Sequence, residues 1–198
     1  MDYGASMKDK LRGNKVKILN DNIGEGFAKF LYDSCVNLLT FNKGVVYICM
    51  SSSELHTLHK AFTDAGGHWS TFIIWAKSTF TMGRADYQRQ YEPMLYGWKE
   101  GTDHYWCGVR DAGDVWQISR SLANPLHPTM KPLELVAKAI KNSSKTEDIV
   151  LDLFGGSGST LIAAEQTDRT CYMMELDPRY CDVIRTRYER FIESRKTD

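Results

Sequence analysis

The stretch "DIVLDLFGGSGSTLIAAE", residues 148–165, decides the fold class. Its first half is a short apolar run that is typical of a buried strand, and its second half has the composition of a helix. Gly155, Gly156 and Gly158 lie between the two. A glycine turn between a strand and a helix is typical of α/β sheets, in which ligands bind beyond the carboxyl ends of the strands. We therefore predict a nucleotide-type ligand at this turn.

An acidic residue at the end of the next predicted strand narrows the choice of ligand. Glu175 lies at the end of the segment "CYMMEL", one residue before its last, and 23 positions after Asp152 (175 − 152). A carboxylate at this place can accept hydrogen bonds from ribose hydroxyls. The glycine turn and the carboxylate together favour an adenosine-type ligand, and the alternative is a tight turn beside an exposed glutamate.

The turn itself discriminates among three kinds of nucleotide site. A phosphate-binding P-loop requires a lysine at the turn, and none follows Gly158. A dinucleotide fingerprint beginning at Gly156 places Leu161 where a third small residue is required, and "GGSGSTLIAAE" offers no basic group to a pyrophosphate. A ligand with ribose and adenine but no phosphate fits better, and S-adenosylmethionine is the obvious candidate.

The remainder of the chain alternates between strand and helix patterns, which predicts an α/β domain. We expect a Rossmann-like sheet that is mostly parallel with an antiparallel edge. A basic segment, 1–20, precedes a single domain, 21–198. Pro93 suggests that its strand starts late or lies near an edge. The predicted helices cover 24–41, 51–67, a segment from Pro132, 159–166 and a segment after Asp177; the predicted strands cover 44–50, 68–77, 91–99, 148–154 and 170–176.

The composition limits the classes of function. Lys and Arg total 25 and so do Asp and Glu, so the net charge is zero and contacts to a polyanion must come from local patches. No apolar run approaches the roughly 18 residues of a membrane span, and the expected setting is cytoplasmic. The five cysteines show no metal-ligand spacing, so we expect reduced thiols and no metal site.

Several motifs together resemble one enzyme family. "NPLHPTMKPLELVAKAI", then "LDLFGGSGST", then "ELDPRYCDVIRTRYERF" is similar to the C-terminal half of amino-directed DNA methyltransferases. "GVVYICMSS", "FIIWAKS", "QYEPMLYGWK" and "DVWQISR" resemble the family as well, so the resemblance covers nearly all of residues 20–195. The HPT-x-KP element precedes the glycine turn, as in the permuted beta class. Members methylate adenine N6 or cytosine N4 with S-adenosylmethionine.

The resemblance implies a set of cofactor-binding residues. Glu175 would bind the ribose hydroxyls, and Lys131 would meet the cofactor carboxylate or cap a backbone carbonyl. Asp152 would approach the amino end of the methionine, or instead orient the turn by accepting its backbone N–H groups. His127 would form a helix-entry hydrogen bond or contact the cofactor. The others implied are Thr129, which closes over the cofactor, and Phe154, Gly155, Gly156, Ser157 and Gly158, which surround the methionine.

The resemblance also implies a catalytic loop that this chain does not contain. Family members use a Pro-Pro-aromatic loop of the Asp-Pro-Pro-Tyr type, and the five prolines here include no adjacent pair. In the permuted class the loop and its central strand lie before the segment that this chain begins with. We therefore expect an incomplete piece, a strand and loop from another chain, or a degenerate relic. We hypothesise that the isolated chain does not methylate DNA, although adenine is the better candidate substrate.

Double-stranded DNA is the expected partner, contacted through local basic clusters. The first cluster is Lys8, Lys10, Arg12 and Lys15, which the alternative treats as a solvated tail, and the second is Lys77, Arg84 and Arg89. Only 28 residues separate Trp98 from His127 (127 − 98 − 1), so the target-recognition-like insertion at 103–126 is short. Its aromatic residues are expected to pack in a hairpin core rather than stack on bases; they are Tyr105, Trp106 and Trp116.

Three functions remain open from the sequence. The first is a DNA amino-methyltransferase domain that needs a further segment. The second is a non-catalytic module that binds S-adenosylmethionine and acts on DNA or through a partner. The third is a dinucleotide-dependent enzyme such as a dehydrogenase.

Overall fold

The computed structural model of the chain describes residues 23–80, 82–83, 85–119 and 130–197. The predicted helices and strands are found with ends shifted by a few residues. For segment 103–119 the sequence predicts a hairpin or an irregular excursion, and the segment is irregular apart from one short strand. The helices are α1 Phe27–Phe41, α2 Leu55–Asp64, α3 Leu133–Ser143, α4 Ser159–Gln166 and α5 Pro178–Thr197. The strands are β1 Val45–Cys49, β2 Gly67–Ala76, β3 Tyr91–Lys99, β4 Val115–Gln117, β5 Ile149–Asp152 and β6 Thr170–Met173.

The described strands form two sheets, ordered β1-β3-β2-β4 and β5-β6. The prediction of a mostly parallel sheet is wrong, because β3 runs antiparallel to both β1 and β2, and these are the longest ladders. Only β2-β4 and β5-β6 are parallel. A parallel pair requires a crossover connection, usually a helix. Residues 77–90, which join β2 to β3, contain no helix in the described part, so this pair is free to be antiparallel.

Strands of both sheets end at the same side of the fold, and the functional residues lie at these strand ends. Since β1 and β2 both run opposite to β3, their carboxyl ends meet the start of β3, and we name this the carboxyl edge. The end of β5 lies there too. Asp152, the last residue of β5, is close to Cys49, the last residue of β1. Burial is the main cause that raises the pKa of the Cys49 thiol to about 11, and the Asp152 carboxylate helps to raise it. The other end of β3 marks the opposite edge.

Helices cover both faces of the larger sheet. α1 and α2 pack on one face through Leu31, Cys35, Leu58 and Phe62. α3 covers the other face with Leu135, while its Ile140 packs against Ala163 and Ala164 of α4. α3 is therefore the element that packs against both sheets, and it holds β5 beside the larger one. Among the described residues, none of the helices combines the length and apolar composition that crossing a membrane requires.

Pro93 lies in the interior of the sheet, which contradicts the expectation of a late start or an edge position. β3 begins two residues before it and runs between β1 and β2. The Pro93 carbonyl accepts a hydrogen bond from the Met50 N–H at 3.1 Å, so its absent N–H also faces β1. Because the ladder between β1 and β3 ends at Cys49 and Met94, the missing donor falls beyond its last pair.

Candidate cofactor-binding site

The glycine turn connects the end of β5 to the start of α4 at the carboxyl edge. Gly156 and Gly158 have φ angles of 54° and 79°, in the left-handed region that favours glycine. The Gly155 N–H donates to the Met174 carbonyl at 2.8 Å, and the Gly158 N–H donates to the Gly155 carbonyl at 2.8 Å. The turn is thus closed on itself and attached to the segment after β6.

Glu175 holds this turn from the neighbouring strand end. Its Oε2 accepts the Gly156 N–H at 2.7 Å, and its Oε1 accepts the Asp177 N–H at 2.8 Å. One carboxylate therefore fixes both the turn and the start of α5. Since an ionised carboxylate offers about four acceptor positions, it retains capacity for the hydroxyls of a ligand.

Asp152 has a position that agrees with one of its two predicted roles. Its Oδ1 accepts the Phe154 N–H at 2.9 Å, so it orients the turn through the backbone. The Phe154 ring is 59% exposed and meets the Phe30 ring of α1 edge to face, with the centroids 5.8 Å apart. Two aromatic rings thus stand beside the turn, and one of them comes from a helix of the larger sheet.

Helix α5 contacts the glycine turn through residues for which the sequence analysis predicted no role at the site. The Arg187 guanidinium donates to the carbonyl of Ser157, whose side chain is buried. Burial lowers the pKa of Arg187 below its usual value. A side chain added at Gly158 would touch Ile184 at 3.2 Å, so the turn packs directly on α5. The sequence pattern that could have indicated this role of Arg187 is its i, i+3 spacing from Ile184, which places both residues on the same helix face.

The Lys131 ammonium contacts the larger sheet. Its Nζ lies 2.8 Å from Oε1 of Glu92, and Lys77 Nζ lies 3.1 Å from Oε2 of the same carboxylate. Burial opposes the charge of Glu92, but both ammonium groups outweigh it and hold the pKa of this carboxyl below its usual value. The Ser159 hydroxyl donates to the Lys131 backbone carbonyl at 2.9 Å. The sequence analysis assigned no site role to Glu92, although it is the one acidic residue of the apolar strand β3.

Several predicted site residues lie outside the described residues. They are His127 and Thr129 of the HPT-x-KP element, and Lys8, Lys10, Arg12, Lys15 and Arg84 of the basic clusters. Arg89 is exposed and donates to the Ser51 hydroxyl at 3.0 Å. Lys77 is largely buried between Glu92 and the Trp75 ring, so it is not part of a surface cluster.

The aromatic residues of the insertion differ in burial. Trp116 is buried in the core on β4, as expected. Tyr105 and Trp106 are each 37% exposed, in a segment without regular structure rather than in the predicted hairpin. This segment follows the end of β3 at the opposite edge, where His104 stacks on Trp98 with the ring centroids 3.9 Å apart.

Comparisons with known proteins agree with this architecture. A model of the N6/N4 DNA methylase family matches residues 21–186. The type II methyltransferase M.BglI of Bacillus subtilis is 28% identical over 156 residues, which are 71% of this chain and 44% of that protein. M2.MboI of Moraxella bovis is 33% identical over 85 residues, 41% of this chain and 31% of that protein. The chain spans less than half the length of either relative.

Solved structures share the fold at lower sequence identity. A complex named M1.HpyAVI-SAM has a TM-score of 0.70 at 24% identity, over 79% of this chain and 82% of the other. TTHA0409 of Thermus thermophilus, complexed with S-adenosyl-L-methionine, has a TM-score of 0.66 at 22% identity, over 84% of this chain and 78% of the other. The α/β fold is that of DNA methyltransferases, and with the family model matching most of its length the chain belongs to the N6/N4 amino DNA methylase family.

Proposed function

We propose that this chain is the cofactor-binding part of a DNA methyltransferase that uses S-adenosylmethionine and acts on an exocyclic base amine. The observation that carries this proposal is the Glu175 carboxylate, which holds the glycine turn at the carboxyl edge and keeps acceptor capacity for two ribose hydroxyls. Two of the similar structures are named as complexes with this cofactor, which supports the choice of ligand.

The residues at the edge fit the chemistry of this cofactor. When bound, S-adenosylmethionine supplies an electrophilic methyl group on a sulfonium. The open backbone of Gly156 and Gly158 allows a ligand to approach closely. Phe154 offers an exposed aromatic face beside it, and Glu175 binds the ribose. Asp152 is proposed to reach the amino end of the methionine with the carboxylate oxygen that does not accept the Phe154 N–H.

The described strands also support a missing element next to the site. Among them, β1 pairs with β3 alone and β5 pairs with β6 alone, so each presents an unpaired edge. Unpaired strand groups buried away from water are costly, which favours another strand between them. We propose that this strand, followed by a Pro-Pro-aromatic loop, comes from a further segment or a partner chain. The loop would accept the amine hydrogens and stack on the flipped base, with adenine N6 preferred over cytosine N4.

Cofactor binding is expected to depend on Glu175. By calorimetric titration, the chain should bind S-adenosylmethionine, and Glu175→Ala should weaken binding by about a hundredfold, because hydrogen bonds to a charged carboxylate are lost. Glu100→Ala is the matched control, since this exposed glutamate pairs with His68 at the opposite edge. Binding of NAD without a response to S-adenosylmethionine would overturn the proposal.

Methyl transfer is expected to require the missing segment. The purified chain should transfer no radiolabelled methyl group to mixed duplex DNA, because the base amine has no acceptors to activate it. Addition of a segment containing a strand and an Asp-Pro-Pro-Tyr loop should restore transfer, with N6-methyladenine as the product. The same segment with Ala-Ala in place of Pro-Pro serves as the control. Label transfer by the chain alone would refute this expectation.

The second candidate function is a non-catalytic module that binds S-adenosylmethionine and DNA. The observation that favours it is the absence of adjacent prolines from the whole sequence. Phosphate contacts would come from the first predicted cluster, Lys8, Lys10, Arg12 and Lys15, and from Arg84 and Arg89 of the second. Membership of the DNA methylase family argues against the dinucleotide-dependent alternative.

A further inference from the structure

A partly buried charge cluster links the larger sheet to the segment that precedes α3. Glu92, at the start of β3, lies between Lys77 and Lys131, and the three side chains are only 16–26% exposed. Lys77 follows the end of β2, so its ion pair with Glu92 stays within the larger sheet. Lys131 comes from outside that sheet. Its 2.8 Å contact with Glu92 therefore joins two parts of the fold.

The contact continues from Lys131 to the glycine turn. The Lys131 carbonyl accepts the hydroxyl of Ser159, the first residue of α4. Ser159 directly follows Gly158, which has a φ of 79° and is the last residue of the turn. A short chain of polar contacts thus runs from β3 through Lys131 to the residue next to the turn. The described strands of the two sheets share no ladder. This chain of contacts is therefore one connection between the turn and the larger sheet, in addition to the packing of α3 against both.

We propose that Glu92 is a positioning residue for the glycine turn. Its carboxylate holds the Lys131 ammonium, which fixes the segment over the start of α4, and the Ser159 hydrogen bond transmits this order to the turn. The ionised state of Glu92, which the two lysines favour, suits this role. The consequence for cofactor affinity rests on the proposed function, whereas the ordering of the turn does not.

Hydrogen exchange of the full chain without ligand tests the ordering. Glu92→Gln and Lys131→Gln should each accelerate amide exchange in a peptide covering 153–160 by about tenfold, since each removes a charge-assisted contact. The double variant should exchange no faster than either single variant, because both belong to one contact. Lys77→Gln is the matched control, which removes the other cation of the same carboxylate and should leave this peptide unchanged.

These outcomes separate positioning from general stability. Equal acceleration in all three single variants, or additive effects in the double variant, would overturn the proposal, as would unchanged exchange in Glu92→Gln. Glu92→Asp, which keeps the charge, should restore most of the protection even if Glu92→Gln folds poorly. A second measurement titrates S-adenosylmethionine, for which Glu92→Gln should lose about tenfold in affinity. If the unaltered chain does not bind this cofactor, the proposed function fails, and the exchange result still decides the role of Glu92.

Discussion

Replacement of Gly97 by alanine is expected to destabilise the fold by about 3 kcal/mol, at the upper end of the cost of overpacking a core. A methyl group there would lie 2.4 Å from the backbone carbonyl oxygen of His68 and 2.8 Å from the ring of Phe62. The first neighbour is the backbone of the adjacent strand β2, which cannot move without breaking its ladder. Phe62 is fully buried and also lies against Gly67, so its ring has no space to retreat.

The measurement for Gly97→Ala is thermal or urea unfolding of the purified chain. A loss of this size corresponds to a fall in Tm of about 6–12 °C for a domain of this length. Gly113→Ala is the control, because no atom lies within 4 Å of the added methyl and the residue does not have a positive φ. An unchanged Tm for Gly97→Ala would show that α2 does not pack on β2 and β3 as described.

Replacement of Gly158 by alanine is expected to reduce the affinity for S-adenosylmethionine by at least about tenfold. The residue has a φ of 79°, which costs an L-amino acid roughly 1–2 kcal/mol. The added methyl would also press on Ile184 at 3.2 Å, tighter than ordinary contact. Relief of either strain moves the turn, and with it the Gly156 N–H that Glu175 holds. Calorimetric titration of the variant measures the change.

Gly101→Ala provides the matched control for backbone strain. Gly101 has a φ of 74°, no atom lies within 4 Å of an added methyl, and it follows β3 at the opposite edge. The control should lose a similar amount of stability from strain and retain its affinity for the cofactor. If Gly158→Ala and Gly101→Ala bind equally well, the turn is not the cofactor site.

Much of the candidate site was predictable from sequence because its signals are local. The glycine turn, the strand before it and the acidic residue after the next strand lie within 28 residues (175 − 148 + 1), and each has a conformational reason to be there. The roles of Arg187 and Glu92 were not predictable in this way. Each acts through a contact with a residue 30 or more positions away, and no local pattern reports such a contact.

The errors in the predicted fold have the same origin. Apolar runs located β1, β2 and β3, but strand direction depends on which strands become neighbours. β3 lies between β1 and β2, and it is antiparallel to both because no helix connects β2 to β3 within the described residues. Pro93 suggested an edge, yet it lies inside the sheet. Its missing N–H faces β1 just past the last pair of that ladder, so the one bond that it cannot donate falls at the ladder's end.

Short-range hydrophobic patterns and turn residues were enough to predict the α/β class, the positions of most elements and the glycine turn, and the resemblance of several motifs indicated the family. The three-dimensional fold was needed to see that the Phe62 ring packs on both Gly67 and Gly97, that Glu92 reaches Lys131, and that the described strands divide into two sheets. Each of these features depends on the distance between segments that are far apart in the chain. The packing of the whole core determines these distances.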